Sequence, residues 1–303
     1  MERAYKYRLL PTDKQAIRLL NTLDACRRLH NACLEQRIIG WRSHRQSVTY
    51  KEQSRELPGL MAGLPEFKAV QHHVLQRSVK RVDRAFSDFF RRVKERKKGK
   101  KVKAGFPRFK SRDRYRGLDF DATAFRLDGS AVKLSKVGSV QFVLHRPIPA
   151  EARVKEARVS RDAVGDWWGS FHLELPDTAP KPIRKTVGID LGLTNLIATS
   201  DGTLVSPPKA LRKSLRKLSR AQRKLARRMK GGWNRLKQRR KVAKVHRSIE
   251  RQRTDFLHKL SRKLVDENDG IVFEKLQVRN MQKNRHLSLS IADAGWSELV
   301  RMT

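Results

Sequence analysis

Cysteine is nearly missing: the 303 residues hold only Cys26 and Cys33. No CxxC pair exists, so no zinc site can be built from cysteine alone. Seven positions apart on a helical pattern, the two thiols share a face but stand roughly 10 Å apart, beyond the ~7 Å limit for a disulfide. They read as buried apolar side chains. Acidic residues are also scarce, 30 against 70 Lys and Arg, and the net charge is +40. A small domain needs a charge of only about 2–8 to stay soluble, so a chain this positive calls for a polyanionic partner. Binding to nucleic acid should be tight at low salt and weaken steeply as salt rises, because each neutralised phosphate releases a counterion. No apolar run approaches the roughly 18–20 residues that span a bilayer. The opening residues, Met1 to Tyr7, do not form a signal peptide. A soluble, intracellular protein with no membrane partner is therefore expected. Hydrophobic residues make up 38% of the chain, enough for cores in two or three domains.

Tyr5, Tyr7 and Leu9 alternate with Lys6 and Arg8, the period of a half-buried strand. Thr12 and Gln15 then form a capping-box pattern ahead of Ile17, Leu20, Leu23, Leu29 and Leu34, which predicts a helix to about Gln36. A second helix is predicted from about Glu66, with Val70, Val74, Val82, Phe86, Phe89 and Val93 on its packing stripe. Arg91 to Arg116 carries 14 Lys or Arg and two acids, ending in Gly105-Phe106-Pro107-Arg108-Phe109-Lys110. A solvated charge run is one reading. Aromatics interleaved with cations favour a segment that tracks phosphates, with bases or ribose near Phe106 and Phe109.

Between residues 118 and 176 the period becomes alternating: Val140, Phe142, Leu144; Val154, Ala157, Val159; Trp168, Phe171, Leu173, Leu175. This predicts a small β-barrel, which the strand at 5–9 joins for want of a nearer partner, leaving the helices of 12–115 as an insertion. Trp167 and Trp168 read as barrel core before base-stacking platforms. Asp177 to Pro182 is a turn-rich linker and the expected domain boundary. Beyond it come Thr186 to Leu193, Asn195 to Thr199, and an Asp201-Gly202 turn before Thr203 to Val205, a hairpin signal. Residues 209–263 hold 23 Lys or Arg and two acids. Leu211, Leu215, Leu218, Leu225 and Met229, then Leu236, Val242, Val245, Ile249, Phe256, Leu260 and Leu264, describe a long basic helical hairpin bent at Gly231-Gly232. The stripe residues pack, and the outer faces carry cations such as Arg220, Arg227, Arg239 and Arg240, too positive to sit without a partner. Ile271 to Leu276 is a short strand bearing Glu274, and residues 291–300 read as one helix.

Asp190 and Glu274 stand out because each lies in or just beyond an apolar strand run, where an unpaired charge is costly. Carboxylates aimed at one point from neighbouring strands suit Mg²⁺, which prefers hard oxygen ligands in octahedral geometry. Two such ions about 3.5–4 Å apart activate water and steady the leaving oxygen in phosphodiester hydrolysis. Either acid alone reads equally as a cap or turn carboxylate paired with an arginine.

The segment Gly188-Ile189-Asp190-Leu191-Gly192-Leu193-Thr194-Asn195 resembles the first RuvC motif of TnpB proteins, and Phe273-Glu274-Lys275-Leu276 with Asn280-Met281 resembles the second. Tyr7 to Thr12, Arg28 to Ala32 and Gly105 to Lys110 match the same family in the same order. The resemblance implies a prokaryotic, cytoplasmic and nucleoid-associated RNA-guided DNA endonuclease of transposons. Its partners would be a transposon-end-derived guide RNA and target double-stranded DNA. Base pairing would read the target, and the protein would read shape and charge. By the same resemblance Asp190 and Glu274 are the first two ligands of a two-ion Mg²⁺ site, and His72 and Gln76 are candidate duplex contacts, with a solvated helix face as the other reading. Phe106, Arg108, Phe109 and Lys110, with the hairpin arginines, are the other expected nucleic-acid contacts. The implied architecture is α+β and multidomain. A small OB-like β-barrel of wedge type (1–11 and 117–180) carries an inserted helical recognition domain (12–116). An incomplete RNase H-like (RuvC) α/β domain (184–303) follows, with the basic hairpin inside it.

Family members continue with a four-cysteine zinc insertion and a third RuvC aspartate, which are lacking here. The expectation is therefore a truncated chain with no zinc site and impaired cleavage; Asp293 and Glu298 do not lie on the element that would replace the missing ligand. Three other readings stand beside it. They are a nuclease-dead guided repressor, a general basic RNA-binding protein of ribosomal type, and a DNA-strand transferase using the same metal cluster.

Overall fold

The computed structural model describes residues 1–177 and 182–303, and the chain divides into two compact units, Met1–Asp177 and Thr178–Thr303. Most of the expected linker, residues 178–181, lies outside the described residues. Among the described residues no helix is long and apolar enough to cross a membrane.

The first unit opens with β1 (Glu2–Leu10), where Tyr5, Tyr7 and Leu9 turn inward and their neighbours outward. Helix α1 (Asp13–His44) starts at the capping box: Thr12 accepts the Gln15 N–H at 3.4 Å while Gln15 accepts the Thr12 N–H at 3.0 Å. It runs past Gln36 and through Gly40 until Arg45 turns into the left-handed region at φ 51°. Short helices α2 (Tyr50–Arg55), α3 (Leu57–Gly63) and α4 (Pro65–Lys68) follow, then α5 (His72–Lys97). The single helix expected from Glu66 is thus two, because Gln71 caps α5 by accepting the Val74 N–H at 3.1 Å.

Strands β2 (Gly117–Asp121), β3 (Phe125–Asp128), β4 (Ala131–Leu134), β5 (Gly138–Phe142), β6 (Arg153–Arg161) and β7 (Trp167–Glu174) join β1 in an antiparallel sheet of order β2-β6-β7-β1-β5-β4-β3. β1 is paired on both sides, Tyr5 with Phe171 on β7 and Leu9 with Phe142 on β5. The edge strands β2 and β3 are joined by residues 122–124 alone, so the sheet curls until its two edges are neighbours. Tyr7, Phe142 and Phe171 fill the concave side with ring centroids 5.0–5.7 Å apart. Leu144, expected on a strand, lies beyond β5 and is exposed. Trp167 is buried, and Trp168 is half-buried beneath the Lys6 ammonium. Cys26 and Cys33 are buried free thiols, and desolvation raises their pKa values to about 12 and about 11. One hydrophobic core spans the inner faces of α1, α5 and the sheet. Arg81 of α5 ties helix to sheet, donating to the Asp119 carboxylate at 2.6 and 2.9 Å and to the Gly117 carbonyl at 2.6 Å.

The second unit comprises β8 (Thr186–Leu191), β9 (Ile197–Thr199), β10 (Leu204–Val205), α6 (Ala210–Ala226), α7 (Trp233–Glu267), β11 (Gly270–Phe273), α8 (Val278–Met281), α9 (Ser288–Ala294) and α10 (Trp296–Met302). Its sheet order is β10-β9-β8-β11, with β11 parallel to β8 and the other pairs antiparallel. Val187, Ile189, Leu191 and Ile197 pack inward against Leu257, Leu260 and Leu264 of α7 and Trp296 and Leu299 of α10. The basic hairpin is α6 and α7, packed through Leu218, Val242 and Ile249 and turning where Gly231 takes φ 88°. Met229, expected on the packed stripe, is 79% exposed because it belongs to the turn after α6; Leu236, near the same tip, is exposed too. The helix expected over 291–300 is broken at Gly295, which caps α9 at φ 73°.

Candidate metal and nucleic-acid sites

Phe273 of β11 registers with Ile189 of β8, and the Glu274 N–H donates to the Ile189 carbonyl at 3.2 Å. One further step of this parallel register sets Glu274 beside Asp190, on strands about 4.8 Å apart. Val187, Ile189 and Leu191 take the inward positions, so strand alternation turns Asp190 to the outer face, and Glu274 shares it. The structure brings the two predicted acids together but corrects their environment: both are exposed. Their neighbours on that face, Gly188, Ala198 and Ser200, are small and leave the carboxylates accessible. Neither carboxylate has a hydrogen bond or ion pair within the described residues. No cluster of three or more His, Cys, Asp or Glu able to hold a metal occurs among those residues either. Two adjacent unpaired carboxylates have the hard-oxygen donor chemistry that Mg²⁺ prefers.

A residue the sequence reading did not single out shapes this site. A Cβ on Gly192 would lie 2.7 Å from the Asn195 carbonyl oxygen. The turn is fixed further by the Gly192 N–H donating to the Leu196 carbonyl at 3.3 Å and by Trp296 Nε1 donating to the Gly192 carbonyl at 3.2 Å. The signal was a glycine two residues after the acid. Asp293 is engaged elsewhere: buried, it accepts the Leu211 and Arg212 N–H groups at 2.9 and 3.2 Å and so caps α6. Glu298 is paired with Arg301.

In the first unit Asn31 pins the basic segment, donating to the Lys110 carbonyl at 3.0 Å and accepting its N–H at 2.8 Å. Phe106 meets Phe86 and Phe89 edge-on, with centroids 5.6 and 5.3 Å away, yet remains 48% exposed. Phe109 is 52% exposed, and Arg108 also faces solvent. His72 and Gln76 lie one turn apart on α5, both half-buried. It is the neighbouring His73 that bonds to Thr123, at 2.8 Å, and approaches Asp121 at 3.2 Å. Arg220, Arg227, Arg239 and Arg240 are all exposed on the hairpin.

Residues 170–285 match the family described as "Probable transposase", and residues 1–46 match one described as "Helix-turn-helix domain". The latter stretch folds here as β1 and one uninterrupted helix. The chain is 37% identical over its whole length to a "Putative RNA-guided DNA endonuclease" of Streptomyces pristinaespiralis, covering 74% of that protein. It is 30% identical over 98% of its length to "Putative RNA-guided DNA endonuclease InsQ" of Escherichia coli (strain K12), covering 76% of it. The fold is similar, at a TM-score of 0.51 and 13% identity, to a chain in a cryo-EM structure of a Cas12f1–sgRNA–target DNA complex; the match covers 95% of this chain and 71% of that one. A mixed α+β fold, the motifs in order and near full-length identity to these relatives agree: the chain belongs to the TnpB family of transposon-encoded proteins.

Proposed function

We propose that this protein is an RNA-guided DNA-binding protein of nuclease type, which carries a transposon-end-derived guide RNA to matching double-stranded DNA. The observation that carries the reading is the pairing of Asp190 and Glu274 on one open sheet face in a chain of net charge +40. The curled sheet acts as an OB-like barrel of wedge type (1–11 and 117–180), and the helices of 12–116 form a recognition insertion. The unit from 184 onward is RuvC-like, of the RNase H-like class. His72 and Gln76 contact duplex DNA. Phe106, Arg108, Phe109 and Lys110 hold the strand, as do Arg220, Arg227, Arg239 and Arg240 on the hairpin.

Asp190 and Glu274 would hold Mg²⁺, which when bound supplies Lewis-acid activation of water for phosphodiester hydrolysis. Their own part is electrostatic, since two neighbouring unpaired carboxylates repel and a divalent cation relieves that repulsion. Two protein carboxylates are few for this chemistry. The 303-residue polypeptide therefore binds its guided target but cleaves it weakly. The test combines purified chain, transposon-end RNA, matched duplex and Mg²⁺, and reads binding and cleavage together. Guide-dependent binding with slow cleavage is expected. Guide-independent binding would overturn the guided reading, and fast cleavage lost in Asp190→Ala would overturn the weak-cleavage claim.

A further inference from the structure

A cleft of about 640 Å³ in the first unit lies between α1, α5, the 105–117 segment and β6. Its volume falls in the roughly 300–1,000 Å³ range of small-ligand sites. Asp88 is the sole carboxylate in its lining, and Arg91 engages it at 3.0 Å. Some lining cations are also committed: Arg81 and Arg158 to Asp119, and Arg116 to the Asp113 carbonyl. The side chains of Arg92, Arg108, Lys110 and Arg114 face the same cleft with no hydrogen bond or ion pair to any described residue. Four unpaired cations in one concavity repel one another, and an anion of more than one charge relieves this.

The rest of the lining is not what a bare phosphate sink requires. Phe106 forms part of the wall, held edge-on by Phe86 and Phe89 and still half exposed. At the floor His30 is buried, with Nδ1 lacking a partner. Burial, then the nearby Lys110 and Arg81 charges, hold its pKa at about 4. The floor is therefore a neutral polar ring beneath a cationic rim.

We propose that this cleft seats one unpaired nucleotide of a nucleic-acid single strand, its flanking phosphates on Arg92, Arg108, Lys110 and Arg114 and its base or ribose against Phe106. The inference rests on the nucleic-acid-binding reading above and adds a defined subsite to it. An aromatic wall beside a cluster of cations recognises single strands without reading sequence.

The test uses the intact chain and three labelled probes: an eight-nucleotide uridine RNA, an eight-nucleotide thymidine DNA and a blunt 20-base-pair duplex. Anisotropy compares the parent with R108S/R114S and with a control of equal charge loss, R126S/K133S. Arg126 and Lys133 are exposed cross-strand neighbours on β3 and β4, remote from the cleft lining. The cleft variant should lose about tenfold in single-strand affinity, and its salt slope should fall by about 1.4, near 0.7 per phosphate contact. Phe106→Ala should weaken single-strand binding at an unchanged slope. Loss on RNA alone, on DNA alone or on both supports the cleft and assigns the strand. The proposal is overturned if the cleft variant loses no more than the control, or loses as much on duplex as on single strands. Failure of the underlying reading looks different, since the parent itself would then bind none of the probes.

Discussion

Gly188 and Gly192 flank Asp190 but face opposite demands. A Cβ at 188 meets its nearest atom, Ser200 Cβ, at an ordinary 3.7 Å, whereas at 192 it would collide with the Asn195 carbonyl. Gly192→Ala should cost about 1–3 kcal/mol by forcing the backbone apart, and Gly188→Ala should be near neutral, as thermal unfolding of the two variants would reveal. Asp293→Ala removes a buried helix cap and should cost about 1–2 kcal/mol; Asp293→Asn, whose single amide oxygen can accept one of the two N–H groups, should recover part of it. His30 supplies a pH signature. Its pKa, held by burial at about 4, is below the ordinary 6.5, so the unfolded chain binds a proton that the fold refuses. Stability should be flat above pH 6.5 and fall, by on the order of 3 kcal/mol, as pH drops from 6.5 to 4. Denaturant titrations across that window check this, and a slope unchanged in His30→Asn would contradict it.

At the scale of elements, α5 is fastened to β2 by the Arg81–Asp119 pair, whose side chains are mostly buried. Arg81→Ala leaves the desolvated Asp119 carboxylate with only the exposed Arg158 at 3.2 Å and should cost about 3 kcal/mol, while replacing both Arg81 and Asp119 with leucine should cost less. Equal losses in the two variants, measured by chemical denaturation, would refute this. Elements with several periods were legible beforehand: β1 from Tyr5, Tyr7 and Leu9, α1 from its capping box, and the α6–α7 hairpin from its stripe and glycines. Strands β2 to β4 were not, because four or five residues give barely two alternations. Helices α2 to α4, at seven residues or fewer, span at most two turns, too short to show a stripe. The break between α4 and α5 escaped notice because Gln71 caps weakly in statistical terms, and only its bond to the Val74 N–H reveals the role.

For the whole molecule, charge and motif order pointed to nucleic acid and to the family, while the alternating periods of 118–176 pointed to one sheet that the strand at 5–9 joins. The acids at 190 and 274 were recognisable by type and misjudged in environment. An apolar run suggested burial, yet Val187, Ile189 and Leu191 already claim the inward positions, so residue 190 must face out. Under the proposed reading, that outward pairing would let the two acids hold a cation without the cost of burying two charges.

The most direct measurement of the central claim is Mn²⁺ binding to the intact protein by electron paramagnetic resonance, with Mn²⁺ standing in for Mg²⁺. Asp190→Ala and Glu274→Ala should each abolish the same site, the double variant should lose nothing more, and Asp293→Asn should leave it intact. Binding that survives both single substitutions, or two independent partial losses that add, would contradict a metal site shared by β8 and β11.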